Sequence, residues 1–181
     1  MTRRWILTAL GKDQPGIVAG VTKVLYRLGC NLEDSAMTRL EGEFTVMLIF
    51  SSPAKATEDA LHRAFASLST KLKLAVHLKA LSTSETGAPR PRGRTYMISV
   101  YGADRTGIVF RVADALARDR INITDVHTHR SAEGGPSLYL LLLEVEIPPA
   151  RSVSSVEERL KRIAKDLGVE VSLRPSDTNV L

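Results

Sequence analysis

The sequence is poor in cysteine and in long apolar runs, and each shortage excludes a class of protein. One cysteine, Cys30, among 181 residues allows no intrachain disulfide, so we expect a reducing cytoplasm. This thiol is either a nucleophile or small core filler. No apolar run approaches the roughly 18 to 20 residues that span a bilayer. The amino terminus also lacks the long apolar stretch and cleavage site of a signal peptide, which predicts a cytoplasmic protein without membrane contact.

The sequence also lacks a large excess of charge of one sign. The formal net charge is +5. Residues 1–81 carry 11 Lys or Arg and 7 Asp or Glu, whereas residues 94–181 carry 12 of each kind. A nucleic-acid binder usually concentrates its cations on one face, but here the charges alternate in sign as on solvated helix faces. We therefore expect no direct nucleic-acid binding.

What the sequence does contain is an internal repeat with an offset of 91 residues. The pattern Gly-x-Asp-x-x-Gly-Ile-Val occurs at 11–18 and again at 102–109. An offset of this length matches a small domain and is far longer than a solenoid repeat. Within the first 24 residues of each copy, ten positions are identical: Gly11/Gly102, Asp13/Asp104, Gly16/Gly107, Ile17/Ile108, Val18/Val109, Val21/Val112, Leu25/Leu116, Arg27/Arg118, Asn31/Asn122 and Asp34/Asp125.

The repeat predicts two copies of one domain with a visible boundary between them. A segment rich in Ser, Gly and Pro at 82–93 has no periodicity and is typical of a linker. We therefore expect one domain at 1–81 and a second at 94–175. A short tail, 176–181, completes the sequence.

Each half has the same predicted order of elements. Strand-like apolar runs such as Trp5–Leu10 alternate with stretches whose apolar residues recur at helical spacing. A hairpin is indicated at Glu41–Glu43, a second helix at Ala54–Ser69 and a last strand at Lys73–Leu81. The order β-α-β-β-α-β predicts an α+β fold with two ferredoxin-like domains in tandem. Because each sheet keeps an uncovered face or edge, we expect intrachain domain pairing or a homodimer.

The repeated pattern falls in the turn between the first strand and the first helix. We expect the helix to begin near Gln14–Pro15, because proline suits the first helical position. Asp13 and Asp104 are placed to cap the helix or to tie down the loop. Gly16 and Gly107 either permit tight helix–strand packing or let a ligand approach closely. In the second case the free N–H groups of the helix end offer a site for a carboxylate.

Two further groups of polar residues are weaker candidates. Asn31 and Asn122 follow the first helix of each half, and are either turn residues in a left-handed conformation or amides that contact a polar ligand. Asp125, His127 and His129 alternate along a predicted strand in the manner of metal ligands. The first half has no histidine at these positions, so we expect neither a metal nor a cofactor. No spacing typical of a nucleophile elbow or a phosphate loop occurs.

Residues 11–50 strongly resemble an ACT domain, a ligand-binding regulatory module with the β-α-β-β-α-β fold. The stretches T-A-L-G-K-D-Q-P-G-I-V at Thr8–Val18 and G-C-N-L-E-D-S at Gly29–Ser35 carry this resemblance. In the second half it rests mainly on residues 102–125.

The resemblance implies an amino-acid site, because ACT domains typically bind an amino acid at an interface between two modules. The contacts come from the loop after strand one, the start of helix one and the start of strand two. We expect glycine or serine as the ligand. Thr106 stands where the first half has Pro15, so the second site is expected to bind differently or not at all. The corresponding positions are Gly11, Asp13, Gly16, Ile17, Asn31, Gly102, Asp104, Gly107, Ile108 and Asn122.

Tandem ACT domains without any other domain resemble a transcriptional repressor that acts through a partner activator. The resemblance therefore implies a non-enzymatic, amino-acid-responsive regulator with a protein partner such as a transcriptional activator. The alternative is a regulatory or interaction subunit of a metabolic enzyme, because formyltetrahydrofolate deformylase carries a similar module beside a catalytic domain that this sequence lacks. An enzyme would need acid–base or nucleophilic groups in one pocket, and the sequence indicates no such set.

Overall fold

The chain divides into two compact units, residues 1–88 and 89–181. The computed structural model describes residues 2–82, 93–131 and 137–176. The predicted linker at 82–93 and the predicted tail at 176–181 lie almost wholly outside the described residues. None of the helices in the described ranges has the length and apolar character needed to traverse a bilayer.

Both units have the predicted β-α-β-β-α-β order, which confirms the fold class. The first unit contains β1 (Arg3–Lys12), α1 (Ile17–Arg27), β2 (Asn31–Leu40), β3 (Glu43–Ser52), α2 (Glu58–Leu72) and β4 (Ala75–Ala80). The second contains β5 (Arg94–Ala103), α3 (Ile108–Arg118), β6 (Asn122–Ser131), β7 (Leu138–Ile147), α4 (Val153–Leu167) and β8 (Val169–Pro175).

Each unit is built on one four-stranded antiparallel sheet. The strand order is β2-β3-β1-β4 in the first sheet and β6-β7-β5-β8 in the second. This order makes β2 and β6 edge strands. Every residue of β2 is exposed, whereas alternate residues of β1 and β3 are buried.

The core of each unit lies between its sheet and its two helices. In the first unit, alternate residues of β1 and β3 such as Leu7 and Phe50 pack against Ile17 and Leu61 of the helices. Period-two burial in the strands and three-to-four spacing in the helices place all of these side chains in one layer. The buried Trp5 indole donates a hydrogen bond to the Ser52 hydroxyl at 2.9 Å, which satisfies the polar atom that its burial removes from water.

Two predicted helix boundaries were wrong, and each has a local cause. α1 begins at Ile17 and not at Gln14–Pro15, because Gly16 is left-handed and the turn takes up the residues before it. α2 begins at Glu58 and not at Ala54. Its N-cap is Thr57, whose hydroxyl accepts a hydrogen bond from the Ala60 N–H at 3.3 Å.

The two units differ at the turn that follows the first helix. Gly29 adopts φ +68° in the first unit, as expected of a glycine that ends a helix. Arg120 occupies the equivalent position, 91 residues later, with φ +57°. A side chain with a Cβ atom is strained in this left-handed region by about 1–2 kcal/mol, so the second unit contains local strain that the first one avoids.

We predict that Arg120→Gly raises the free energy of unfolding by up to about 1 kcal/mol, because glycine relieves the strain but enlarges the unfolded ensemble. For a domain of this size the gain corresponds to a rise in melting temperature of about 4–8 °C. Differential scanning calorimetry of the full chain measures it. Gly29→Arg is the reciprocal control and should lower stability. An unchanged or lower melting temperature for Arg120→Gly would show that the turn is not strained.

Candidate functional site

The turn between the first strand and the first helix has the same backbone conformation in both units. Gly16 and Gly107 are the N-cap residues of α1 and α3, and both have φ +96°. A Cβ atom at either position would meet nothing within 4 Å. The interpretation of these glycines as aids to tight helix–strand packing is therefore wrong. They are required because a left-handed backbone redirects the chain from strand to helix, and the space beside them is open.

The helices that follow these glycines are uncapped, unlike the other two. No side chain in the described residues caps α1 or α3, and neither helix has an acidic residue in its first turn. By contrast, Thr57 caps α2 and Ser152 caps α4, each through its hydroxyl. The first-turn N–H groups of α1 and α3 thus keep their positive partial charge without a fixed anion. This arrangement suits a bound carboxylate.

Asp13 and Asp104 tie down the loop and do not cap the helix. Asp13 accepts a hydrogen bond from Arg39 on β2 at 3.2 Å. Asp104 pairs with Arg130 on β6, with its nearest oxygen 3.6 Å from the guanidinium. The two arginines are 91 residues apart, so the repeat offset could have identified them. Neither arginine was predicted, because the identical positions of the two halves were compared only as far as Asp34 and Asp125.

Asp13 and Arg39 line an open groove in the first unit. The groove has a volume of about 690 Å³ and lies between the Gly16 turn, the exposed side of α1 and the end of β2. Val18 is 48% exposed beside it. Its residues include an acid, a base and the helix start: Asp13, Gly16, Ile17, Thr22, Met37 and Arg39. We call it the loop–helix groove. Ile108 starts α3 as Ile17 starts α1, and both side chains are buried in their cores.

Gly11 and Gly102 have a packing role. A Cβ atom on Gly11 would lie 2.8 Å from a methyl carbon of Leu74 and 3.0 Å from the carbonyl oxygen of Lys73. On Gly102 it would lie 2.8 Å from a methyl carbon of Val169. Gly11 lets the residues that lead into β4 approach β1, and Gly102 lets β8 approach β5. Gly11 does not line the groove.

Asn31 lies at the opposite end of its sheet from Gly11, Asp13, Gly16 and Ile17. It pairs with Ser51, whereas the far end of β3 at Glu43 pairs with Lys12. Eight residues of strand separate the two ends, which is about 26 Å. Asn122 has the same place at the start of β6. Neither asparagine has a positive φ, so the interpretation as left-handed turn residues is wrong.

The remaining candidates give no reactive constellation among the described residues. Burial raises the pKa of the Cys30 thiol, so the neutral and weakly nucleophilic form is favoured. His127 and His129 point to one side of β6, and His127 contacts Asp125 at 2.9 Å. The described part of the chain contains no group of three His, Cys, Asp or Glu side chains that could hold a metal ion.

Comparison with known proteins places this architecture in a family. The ACT domain model matches residues 3–79 and again 94–174. The chain belongs to the ACT domain family. Both of its units are therefore ACT domains, and the loop–helix groove occupies the turn between the first strand and first helix of the first one.

Three similar proteins show how far the likeness extends. The glycine cleavage system transcriptional repressor of Escherichia coli K12 is 25% identical over 170 residues, which is 93% of this chain and 87% of that protein. A UPF0237 protein of Streptococcus pneumoniae is 34% identical over 80 residues, 44% of this chain and 91% of its own length. The crystal structure of an unknown protein from Galdieria sulphuraria has a TM-score of 0.80 and 26% identity, covering 97% of this chain and 99% of that one.

The two kinds of glycine should respond differently to a methyl group. We predict that Gly16→Ala lowers the free energy of unfolding by about 1–2 kcal/mol through backbone strain alone. Gly11→Ala should lower it by about 1–3 kcal/mol through overpacking against Lys73 and Leu74. Urea unfolding of the full chain measures both.

The distinction is tested by a D-alanine substitution, made by semisynthesis, because a D-residue prefers positive φ. D-alanine at position 16 should restore most of the stability, but at position 11 it should not. Equal responses at the two positions would contradict the proposed difference between strain and packing.

Proposed function

We propose that the protein is a non-enzymatic, amino-acid-responsive regulator and that the loop–helix groove binds the amino acid. The observation that supports this proposal is the pair of uncapped helices, α1 and α3, beside open left-handed glycines. The likeness to a glycine cleavage system transcriptional repressor over most of both chains agrees with a regulatory role.

The groove offers complementary groups to each end of a zwitterion. The first-turn N–H groups of α1 and the Arg39 guanidinium attract a carboxylate. Asp13 lies beside them and attracts an ammonium group. A small amino acid has both charges two bonds apart, so it can use all three partners. The Asp13–Arg39 pair is largely exposed, at 33% and 68% of the side chains, and separating it for a ligand costs about 1 kcal/mol or less.

Glycine is the first ligand that we expect, and serine the second. Glycine has five heavy atoms, and at a ceiling of about −1.5 kcal/mol per atom its binding free energy cannot exceed roughly −7.5 kcal/mol. The dissociation constant is then no lower than a few micromolar. The groove is open, so we expect a value from tens of micromolar to millimolar, which suits a metabolite sensor.

In its own unit Asn31 lies six strand residues, or about 20 Å, from Met37, which lines this groove. It does not reach a ligand in the groove of its own unit, but a second copy of the chain can bring an equivalent asparagine to it. We therefore propose that a homodimer completes the site. The protein partner on which regulation acts is proposed to be a transcriptional activator. A metabolic enzyme is the alternative partner, and identification of the captured protein distinguishes the two.

We predict that Arg39→Ala weakens glycine binding by about 1.5–3 kcal/mol, because one hydrogen bond to a charged group is lost. Isothermal titration calorimetry measures the change. Arg3→Ala is the matched control, since Arg3 is an exposed arginine of the same unit whose ion pair with Glu58 lies outside the groove. Arg130→Ala reports on the second unit and should have a smaller effect if the Thr106 loop is silent. Equal affinities of Arg39→Ala and wild type would contradict the site.

A second prediction concerns DNA. Net charge is modest, and residues 94–181 include as many acidic as basic residues. Non-specific binding to duplex weakens steeply with salt. We therefore expect no sequence-specific mobility shift with pure protein at about 150 mM salt. A shift that survives competition with unrelated DNA would overturn the partner-mediated mechanism.

A further inference from the structure

The outer face of the helix layer in the first unit contains a basic groove that the amino-acid site does not use. The groove lies between α1 and α2 and has a volume of about 470 Å³. Gly20 brings the helices together, because a Cβ atom there would lie only 3.0 Å from a methyl carbon of Leu68. We call it the α1–α2 groove. Its floor is apolar and its rim is basic: Val24, Leu28, Leu68, Lys23, Arg27 and Lys71.

The three cations of this groove have no carboxylate to neutralise them. Lys23, Arg27 and Lys71 are exposed and make no ion pair with any residue in the described ranges. α1 contains no acidic residue, and those of α2 are confined to its first turn. Lys23 and Arg27 are also four residues apart on one helix, where like charges repel. Arg27 and Lys71 lie in the last turns of their helices, where the dipole favours a cation, but no described carboxylate offsets the repulsion between Lys23 and Arg27.

The second unit has the equivalent groove, lined by four arginines and by two aspartates that the first groove lacks. Counted from the start of each helix, Asp114 takes the place of Lys23 and Asp166 that of Lys71. Asp114 pairs with Arg118 at 2.8 Å, and Asp166 pairs with Arg111 across the groove at 2.9 Å. The fold itself therefore does not require cations at these two positions, and a groove without any ion pair among its described residues is a property of the first unit.

We propose that the α1–α2 groove is a docking site for an acidic, amphipathic helix of a partner protein. Charge complementarity selects acidic side chains for the three rim positions. The apolar floor takes two or three aliphatic side chains from one face of that helix. Residues 20–27 of α1 extend about 11 Å, which matches two turns of a docked helix. This proposal deepens the partner-mediated function and rests on it.

Nucleic acid fits this groove less well than an acidic helix. Single strands are held by a long cationic track with aromatic platforms, whereas the lining here contains three cations and no aromatic side chain. An aliphatic floor would face a phosphate backbone without any favourable contact. Nucleic acid is therefore a competing outcome of the test.

A synthetic helix tests the proposal without knowledge of the natural partner. The probe is a fluorescein-labelled, 14-residue peptide with leucines on one face flanked by glutamates, and the control peptide has glutamine at each glutamate position. Fluorescence anisotropy with the full chain should show binding of the acidic peptide. Because two or three partly exposed ion pairs contribute modestly, the neutral peptide should bind about tenfold more weakly.

A charge-reversed variant locates the binding. Lys23→Asp with Lys71→Asp copies the residues of the second unit and should weaken the acidic peptide by about tenfold or more. Lys55→Glu with Arg63→Glu is the matched control, since it removes the same charge from exposed positions outside the groove. It should change the affinity by less than about threefold.

Three outcomes would overturn the docking site. They are equal affinities of wild type and Lys23→Asp/Lys71→Asp, equal losses in the reversed and control variants, and tighter binding of a single-stranded oligonucleotide that competes for the same groove. The assay contains no amino acid, so its result is independent of calorimetry at the loop–helix groove. A negative result at one groove therefore does not count against the proposal for the other.

Discussion

The left-handed glycine before the first helix is the constraint on which each unit depends. At φ +96°, Gly16 and Gly107 turn the chain from the first strand onto the helix layer, a conformation that side chains with a Cβ atom adopt only with strain. The turn fixes where the helix starts and which of its faces meets the sheet. It also leaves the first-turn N–H groups beside open space, where no side chain among the described residues caps them.

The polar groups around this turn divide structural from functional roles. Gly11 gives room to Leu74, just before β4, and Asp13 holds the loop to Arg39 at the edge strand. What remains free is the positive end of α1, opposite an exposed and separable ion pair. A scaffold with the same glycine turn in both units and an open helix end agrees with a module that senses a small charged metabolite.

Much of the fold was predictable from the sequence, because hydrophobic periodicity and the 91-residue offset are local, repeated signals. The site was less so. Pro15 predicted an early helix start, but the left-handed conformation of Gly16 places the start at Ile17. Hydrophobic periodicity does not report a backbone dihedral angle, so this boundary could not be predicted from it. Asn31 joined the predicted site through the family resemblance, whereas strand register places it at the far end of the sheet. Arg39 was missed because the identical positions were compared only as far as Asp125, although Arg130 repeats it at the same offset.

The central claim is that an amino-acid carboxylate binds at the start of α1. The most direct test is an amide NMR titration of the 15N-labelled full chain with glycine. We expect the largest chemical-shift changes at the amides of Ile17, Val18 and Ala19, with saturation between tens of micromolar and millimolar glycine. Saturable shifts confined to other parts of the chain, or none up to about 10 mM, would contradict the account.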